Sequence, residues 1–358
     1  MQRSERWVVR LALGLLVSGP AAAVGAEQPP AQARPDQELE ACLACHGDKD
    51  LSLRLDSGQT QSLHVGGDDL VRSVHRKLRC TDCHAGMEEV PHPERHYRNA
   101  GQFKAGFREA CKSCHFENYT KSLDSVHYAM QARGDLNAPS CVGCHGSHAI
   151  KPPAQPRSHI SQTCASCHEG ISIAYAKSVH GKALIEGNPD VPVCTDCHHS
   201  HDIADPRNRS WLLKTPELCG KCHTDKKLMA KYKLSTNVLS TYLADFHGTT
   251  ASFGEGRAPG SERVAALCVD CHGIHDITKV KDPGSRVLQA NLVKTCRKCH
   301  VGASESFPAA WLSHYEPSWE RAPLVYLVKL FYTILIPFIV GGLVLQVLLH
   351  LWRVVVNR

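Results

Sequence analysis

Residues 164–203 read CASCHEGISIAYAKSVHGKALIEGNPDVPVCTDCHHSHDI. The segment opens on Cys-x-x-Cys-His and reaches Ser-Val-His at His180, sixteen residues after Cys164. Fourteen residues further on a second Cys-x-x-Cys-His begins, and the segment closes on Cys-His-x-x-His-Asp-Ile. Residues 111–150 repeat both intervals through His127 and end Cys-His-x-x-His-Ala-Ile. Residues 219–277 keep the two ends around a Gly/Ser-rich loop from Thr249 to Ser261. The module from Cys42 carries Ser-Val-His at His75, and a half module from Cys296 carries Ser-His at His314. The chain is therefore read as four two-motif modules plus a single-motif end (starting at 42, 111, 164, 219 and 296), stacked as a quasi-linear array. Lys151 to Pro156 is a Pro-rich connector, and Glu27 to Asp36 a flexible lead-in.

The five-residue motif occurs nine times and uses all eighteen cysteines: Cys42 and Cys45, Cys80 and Cys83, Cys111 and Cys114, Cys141 and Cys144, Cys164 and Cys167, Cys194 and Cys197, Cys219 and Cys222, Cys268 and Cys271, Cys296 and Cys299. Cys-x-x-Cys-His is the attachment motif of c-type haem. Thiols at i and i+3 share one side of a helical turn, where they reach the two vinyl groups of one porphyrin. The following histidine is then held under the ring. Nine haem c groups follow, with proximal ligands His46, His84, His115, His145, His168, His198, His223, His272 and His300. Zinc ribbons require no histidine after each knuckle. Structural disulfides rarely repeat at a two-residue gap.

Fourteen histidines remain for the opposite faces of the irons. Five recur after the first motif of a module: His75, His127, His180, His247 and His314. Several fall on expected helices, over 171–186 and 226–247. Three more, His148, His201 and His275, stand three residues after the proximal histidine of a second motif. So close in sequence, they reach a neighbouring haem, or their own only through a loop; spacing leaves open which. The first module has Met87 in that place, and the ninth distal ligand is assigned to His92 of Pro-His-Pro, with His96 and Met87 behind it. His64, His159, His199 and His350 do not recur and are read as surface residues. Apart from the initiator there are three methionines, so at least six haems lack His/Met ligation. An all-histidine set implies low potentials.

About 297 residues (27–323) serve nine motifs, about 33 for each, which is too little chain for a conventional apolar core. The expected fold class is a multihaem cytochrome c: short α-helices and irregular loops wrapped around a haem array, little or no β, and one C-terminal transmembrane helix. The formal charge of +6 misleads. Without residues 1–26 it is about +4, and nine haems with ionised propionates add about −9 oxidised or about −18 reduced. A basic-patch reading for nucleic acid is therefore excluded.

Arg3, Arg6 and Arg10, the apolar run Leu11 to Val17 and the small residues Ala21 to Ala26 read as a secretory signal over 1–26. Residues 27–323 form the periplasmic haem domain. Residues 324–351 are almost wholly apolar and long enough to cross a bilayer. Lys329 can snorkel, Trp311, Trp319, Tyr326 and Trp352 mark the two interfaces, and Pro337 is a candidate kink. Arg353 and Arg358 place the tail 352–358 in the cytoplasm by the positive-inside rule.

Ser-Val-His ahead of a haem motif, and CTDCH followed by Pro-His-Pro (Cys80 to Pro93), give the chain a family resemblance. Over roughly residues 40–315 it resembles the multihaem c-type cytochromes of respiratory bacteria with doubled Cys-x-x-Cys-His motifs. The resemblance implies that His75, His127, His180, His247 and His92 are distal ligands. Phe331 to Gly342 resembles the tail of cytochromes that work beside or fused to a membrane b-type cytochrome. The expected partners are thus a b-type or quinone-reactive membrane subunit, periplasmic or outer-membrane cytochromes, and the lipid bilayer. The expected role is electron transfer from the cytoplasmic membrane rather than catalysis, with no catalytic residue assigned. The alternative is a terminal reductase for nitrite, hydroxylamine or a sulfur oxyanion. That alternative needs an iron with an open position, for which the irregular first module, at Cys80 to His84, is the candidate.

Overall fold

The computed structural model describes residues 35–135, 137–253, 265–311 and 314–357. The expected signal, most of the lead-in and most of the Gly/Ser-rich loop lie outside the described residues. The rest is a succession of short helices joined by turns, ending in one long helix. The β-structure among the described residues is a single ribbon, Ser52–Arg54 antiparallel to Thr60–Ser62, with Leu53 opposite Gln61. It occurs only in the first module and interrupts the otherwise helical fold for a local reason. Gly58, at φ 81°, closes the turn between the strands, a backbone conformation that glycine adopts without steric cost.

The two motifs of a module are built differently. First motifs lie at or beyond the end of a preceding helix, as in Pro35–His46, Ser158–Ala165, Thr215–His223 and Gln289–Cys296. Second motifs are a helical turn of their own: Cys80–Cys83, Cys141–His145, Cys194–His198 and Cys268–His272. Three of those turns have aspartate as their third residue. Asp82, Asp196 and Asp270 accept the backbone N–H of Arg79, Val193 and Leu267, the residue just before the motif. An acidic residue so placed satisfies a donor that the helix leaves free and sits well against the helix dipole.

Modules are tied to each other through their backbones. Val74, Val126 and Val179, each inside a Ser-Val-His, donate N–H to the carbonyls of Ile150, Ile203 and Ile277 of the following module. Apolar packing is thin and local. Leu184, Val191 and Val193 form one buried cluster, with Ile160 and Tyr175 against it.

Two expected helices are broken in the structure. The stretch 171–186 is divided into Glu169–Lys177 and Val179–Ile185, because Ser178 is extended (φ −72°, ψ 169°) and its hydroxyl accepts the Gly181 N–H to start a new helix. The stretch 226–247 is divided into Lys226–Lys231, Val238–Ala244 and Phe246–Ser252. Lys233 at φ 55° ends the first, and extended Asp245 separates the last two. At the C-terminus the helix runs Pro323–Val356, longer than the expected 324–351, and most of the expected tail is helical. It passes through Pro337, none of its residues is buried, and its apolar window has a mean hydropathy of 2.4. The structure thus has the expected class: short helices and loops, almost no strand, and one long apolar C-terminal helix.

Candidate haem-binding array

Every motif histidine faces one of the histidines assigned to the opposite face of an iron. Ring centroids are 6.2 Å apart for His46 and His92, 5.9 Å for His115 and His75, and 6.0 Å for His84 and His148. They are 6.2 Å apart for His168 and His127, 6.1 Å for His145 and His201, and 6.4 Å for His223 and His180. The remaining pairs are His198 with His275 at 6.0 Å, His300 with His247 at 6.2 Å, and His272 with His314 at 6.1 Å. These are nine pairs, with no histidine used twice.

The pairing interlocks the modules. Each recurring histidine of the Ser-Val-His type reaches forward to the first motif of the next module, as His75 does to His115 and His127 to His168. Each Cys-His-x-x-His histidine reaches back to the second motif of the previous module, as His148 does to His84 and His201 to His145. Two pairs depart from this pattern. His92, which follows the second motif of the first module, faces His46 of the first motif, and His314, which follows a first motif, faces His272 of a second. The cause is the ends of the array: the first motif has no module before it, and the last second motif has no full module after it. His84, the candidate open site, faces His148. His96 lies 4.0 Å from Asp56 instead.

Ring orientation falls into two classes for eight of the nine pairs, with His46 and His92 between them at 30°. The forward pairs are inclined at 34–57°, whereas the pairs on second motifs are nearly parallel at 18–26°. Several rings are fixed through the nitrogen that faces away from the partner. His46 Nδ1 contacts the Leu63 carbonyl at 2.9 Å, and His92 Nδ1 the Glu89 carbonyl at 2.8 Å. A carbonyl there requires the proton on Nδ1 and leaves the Nε2 lone pair free to bind metal. The ribbon Ser52–Arg54 with Thr60–Ser62 exists in that place to deliver Leu63 to His46. Trp211 lies flat on His198, at 5.2 Å and 3°.

Burial also favours the neutral form of several of the rings. It pulls His180 down to about 4, with the neighbouring His223 as the second cause. It lowers His84, His145, His198 and His272 as well, each time ahead of the charge of the facing histidine. A neutral imidazole is the form that binds iron.

The thiols set the order of the motifs. Cys42 contacts Cys80, Cys111 contacts Cys141, Cys164 contacts Cys194 and Cys219 contacts Cys268 within each module. Between modules, Cys83 lies in electrostatic reach of Cys114, Cys144 of Cys167, Cys197 of Cys219, and Cys271 of Cys296. Consecutive motifs thus lie near one another in chain order.

The residues fit haem. An imidazole nitrogen binds a first-row metal at about 2.0–2.1 Å and the ring centre lies about 1.1 Å behind it, so two imidazoles on one ion stand about 6.2 Å apart. The observed pairs cluster at that value. The sequence reading missed three things around these sites: the Leu63 carbonyl on His46, Trp211 on His198, and the carboxylate of Asp245 beside His247. Only the last had a signal, aspartate where the other modules have the serine of Ser-Val-His.

Residues 135–224 match the family model described as cytochrome c3. That interval holds four of the motifs, from Cys141, Cys164, Cys194 and Cys219. The match supports a multihaem c-type cytochrome with covalently bound haem c, and multihaem electron transfer with it. Neither the curated proteins nor the solved structures contain a match.

Proposed function

We propose that this chain is a nonahaem electron-transfer protein, anchored in the cytoplasmic membrane by its C-terminal helix and carrying its haems on the periplasmic side. Haem bound at these sites would supply one-electron ferric/ferrous chemistry. The chain supplies two thioether anchors and two imidazoles for each group. Its neighbouring motifs, in unbroken sequence order, supply the spacing. The observation that carries the reading is the set of nine imidazole pairs, each of one motif and one non-motif histidine, at the separation a single iron demands.

The helix Pro323–Val356 supports the anchor. Its 34 residues extend about 51 Å, more than the roughly 30 Å of a hydrocarbon core. Lys329 and Arg353 stand about 36 Å apart along it, so both can reach headgroups while the apolar run between them spans. With Arg353 inside, the ninth motif lies at the membrane end of the array and the first at the far end. The natural partners are a quinone-reactive or b-type membrane subunit at the ninth site and a periplasmic or outer-membrane cytochrome at the first. The reductase reading has no observation in its favour, since each motif histidine has a second imidazole opposite it.

Mass spectrometry of the mature chain tests the count, with nine covalent haem adducts expected. Low-temperature EPR tests the ligation. All nine ferric centres should be low-spin, in two classes that follow the steep and near-parallel ring pairs. A high-spin ferric signal that responds to nitrite or hydroxylamine would replace the conduit with an enzyme.

A further inference from the structure

The fourth junction of the array differs from the three before it at one residue. In the first three, the residue two before the recurring histidine is Ser73, Ser125 or Ser178, uncharged and at most 5% exposed. The N–H of the next residue goes to the isoleucine carbonyl of the following module, at 2.8–2.9 Å. The half module has no such isoleucine. At the fourth junction the residue is Asp245, and its own Oδ1 takes the Phe246 N–H at 2.6 Å. The aspartate thus replaces a missing neighbour, as a cap does at the end of a repeat array.

The replacement brings a charge with it. Asp245 Oδ2 accepts the Trp311 indole N–H at 2.8 Å and stands 3.7 Å from His247 Nδ1. Both donors that hold it, an amide and an indole, are neutral and bring no compensating positive charge. Its side chain is only 29% exposed, so water screens it incompletely. Asp245 also lines the cleft that holds His272 and His314. There His314 Nδ1 is buried and has no hydrogen-bond partner. The carboxylate therefore stands at the outer nitrogen of His247, at the ninth site, and shares a cleft with His272 and His314 of the eighth.

We infer that Asp245 holds down the reduction potential of the ninth haem, gripped by His300 and His247, and by a smaller amount that of the eighth, gripped by His272 and His314. This rests on the bis-histidine reading given above. A ferric site carries one more positive charge than a ferrous one, so a nearby anion favours the oxidised form. A carboxylate at the outer nitrogen also strengthens the imidazole as a donor. The effect falls on the two sites nearest the membrane helix in sequence and favours transfer outward along the array from that end.

Spectroelectrochemical titration of the full chain in detergent tests it. Asp245→Asn removes the charge and keeps one of the two acceptor oxygens. The expected result is one redox step raised by at least tenfold in its equilibrium constant, 59 mV for one electron, a second raised by less, and the other seven unmoved. Trp311→Phe keeps the charge and removes its indole partner, and should raise neither step. Asp245→Ser restores the residue of the other junctions and should repeat the asparagine result. Unmoved potentials in Asp245→Asn overturn the inference, as does an equal rise in Trp311→Phe. Fewer than nine low-spin haems in the unaltered chain would overturn the bis-histidine reading as well, which separates the two failures.

Discussion

His92 shows what a single residue contributes and how far it could be read. It lies in Pro-His-Pro, outside every repeat interval, and its ring is held by the Glu89 carbonyl opposite His46. His92→Ala should leave the haem at Cys42 and Cys45 attached and take away one axial ligand. The expected outcome is one of nine low-spin EPR signals converted to high-spin, reversed by added imidazole, with nine adducts by mass. Nine unchanged low-spin signals would remove His92 from the ligand set. The identity of the histidines was legible because their intervals recur. Their partners were not, because each partner lies in another module, at a separation that no local pattern encodes. For His92 the residue was legible and its partner, His46, was not, since no interval in the sequence links the two.

At the scale of elements, the turns that carry second motifs were legible in principle through the aspartates that cap them. The breaks within helices were not. Apolar residues continue through 171–186, and nothing local marks Ser178 as a corner. The corner is set by the next module, whose Ile277 carbonyl takes the Val179 N–H. Glycine makes it possible. A Cβ on Gly181 would lie 1.9 Å from the Tyr175 carbonyl oxygen, and one on Gly248 2.0 Å from that of Tyr242. Each glycine directly follows an axial histidine, so close helix approach and ring placement are one feature. Gly181→Ala should therefore act as an overpacked site, costing about 1–3 kcal/mol, and should swing His180 away from His223. Thermal unfolding and the spin state read it together: a lower midpoint with one haem partly high-spin. A normal midpoint with nine low-spin haems would mean that the corner has room the structure does not give it.

For the whole molecule, the number of motifs and the linear order of modules were legible in the repeat intervals, while the interlocking came from contacts between modules. Interlocking changes what truncation does. The helix Pro323–Val356 has no buried residue, and nothing in the array depends on it. Stopping the chain after Ala322 should release a water-soluble protein that keeps nine low-spin haems. Stopping it before Gln289 is different. That cut removes the ninth motif and also His314, the imidazole opposite His272. It leaves His247 without His300. A modular string would lose one haem and keep eight intact. The interlocked array should keep eight covalent adducts with only seven of them low-spin, because the haem at Cys268 and Cys271 has lost its outer ligand. Mass spectrometry and EPR on the same sample separate the two. Eight adducts with eight low-spin signals would mean that the modules are self-sufficient, and the forward and backward reach of the histidines would lose its structural meaning.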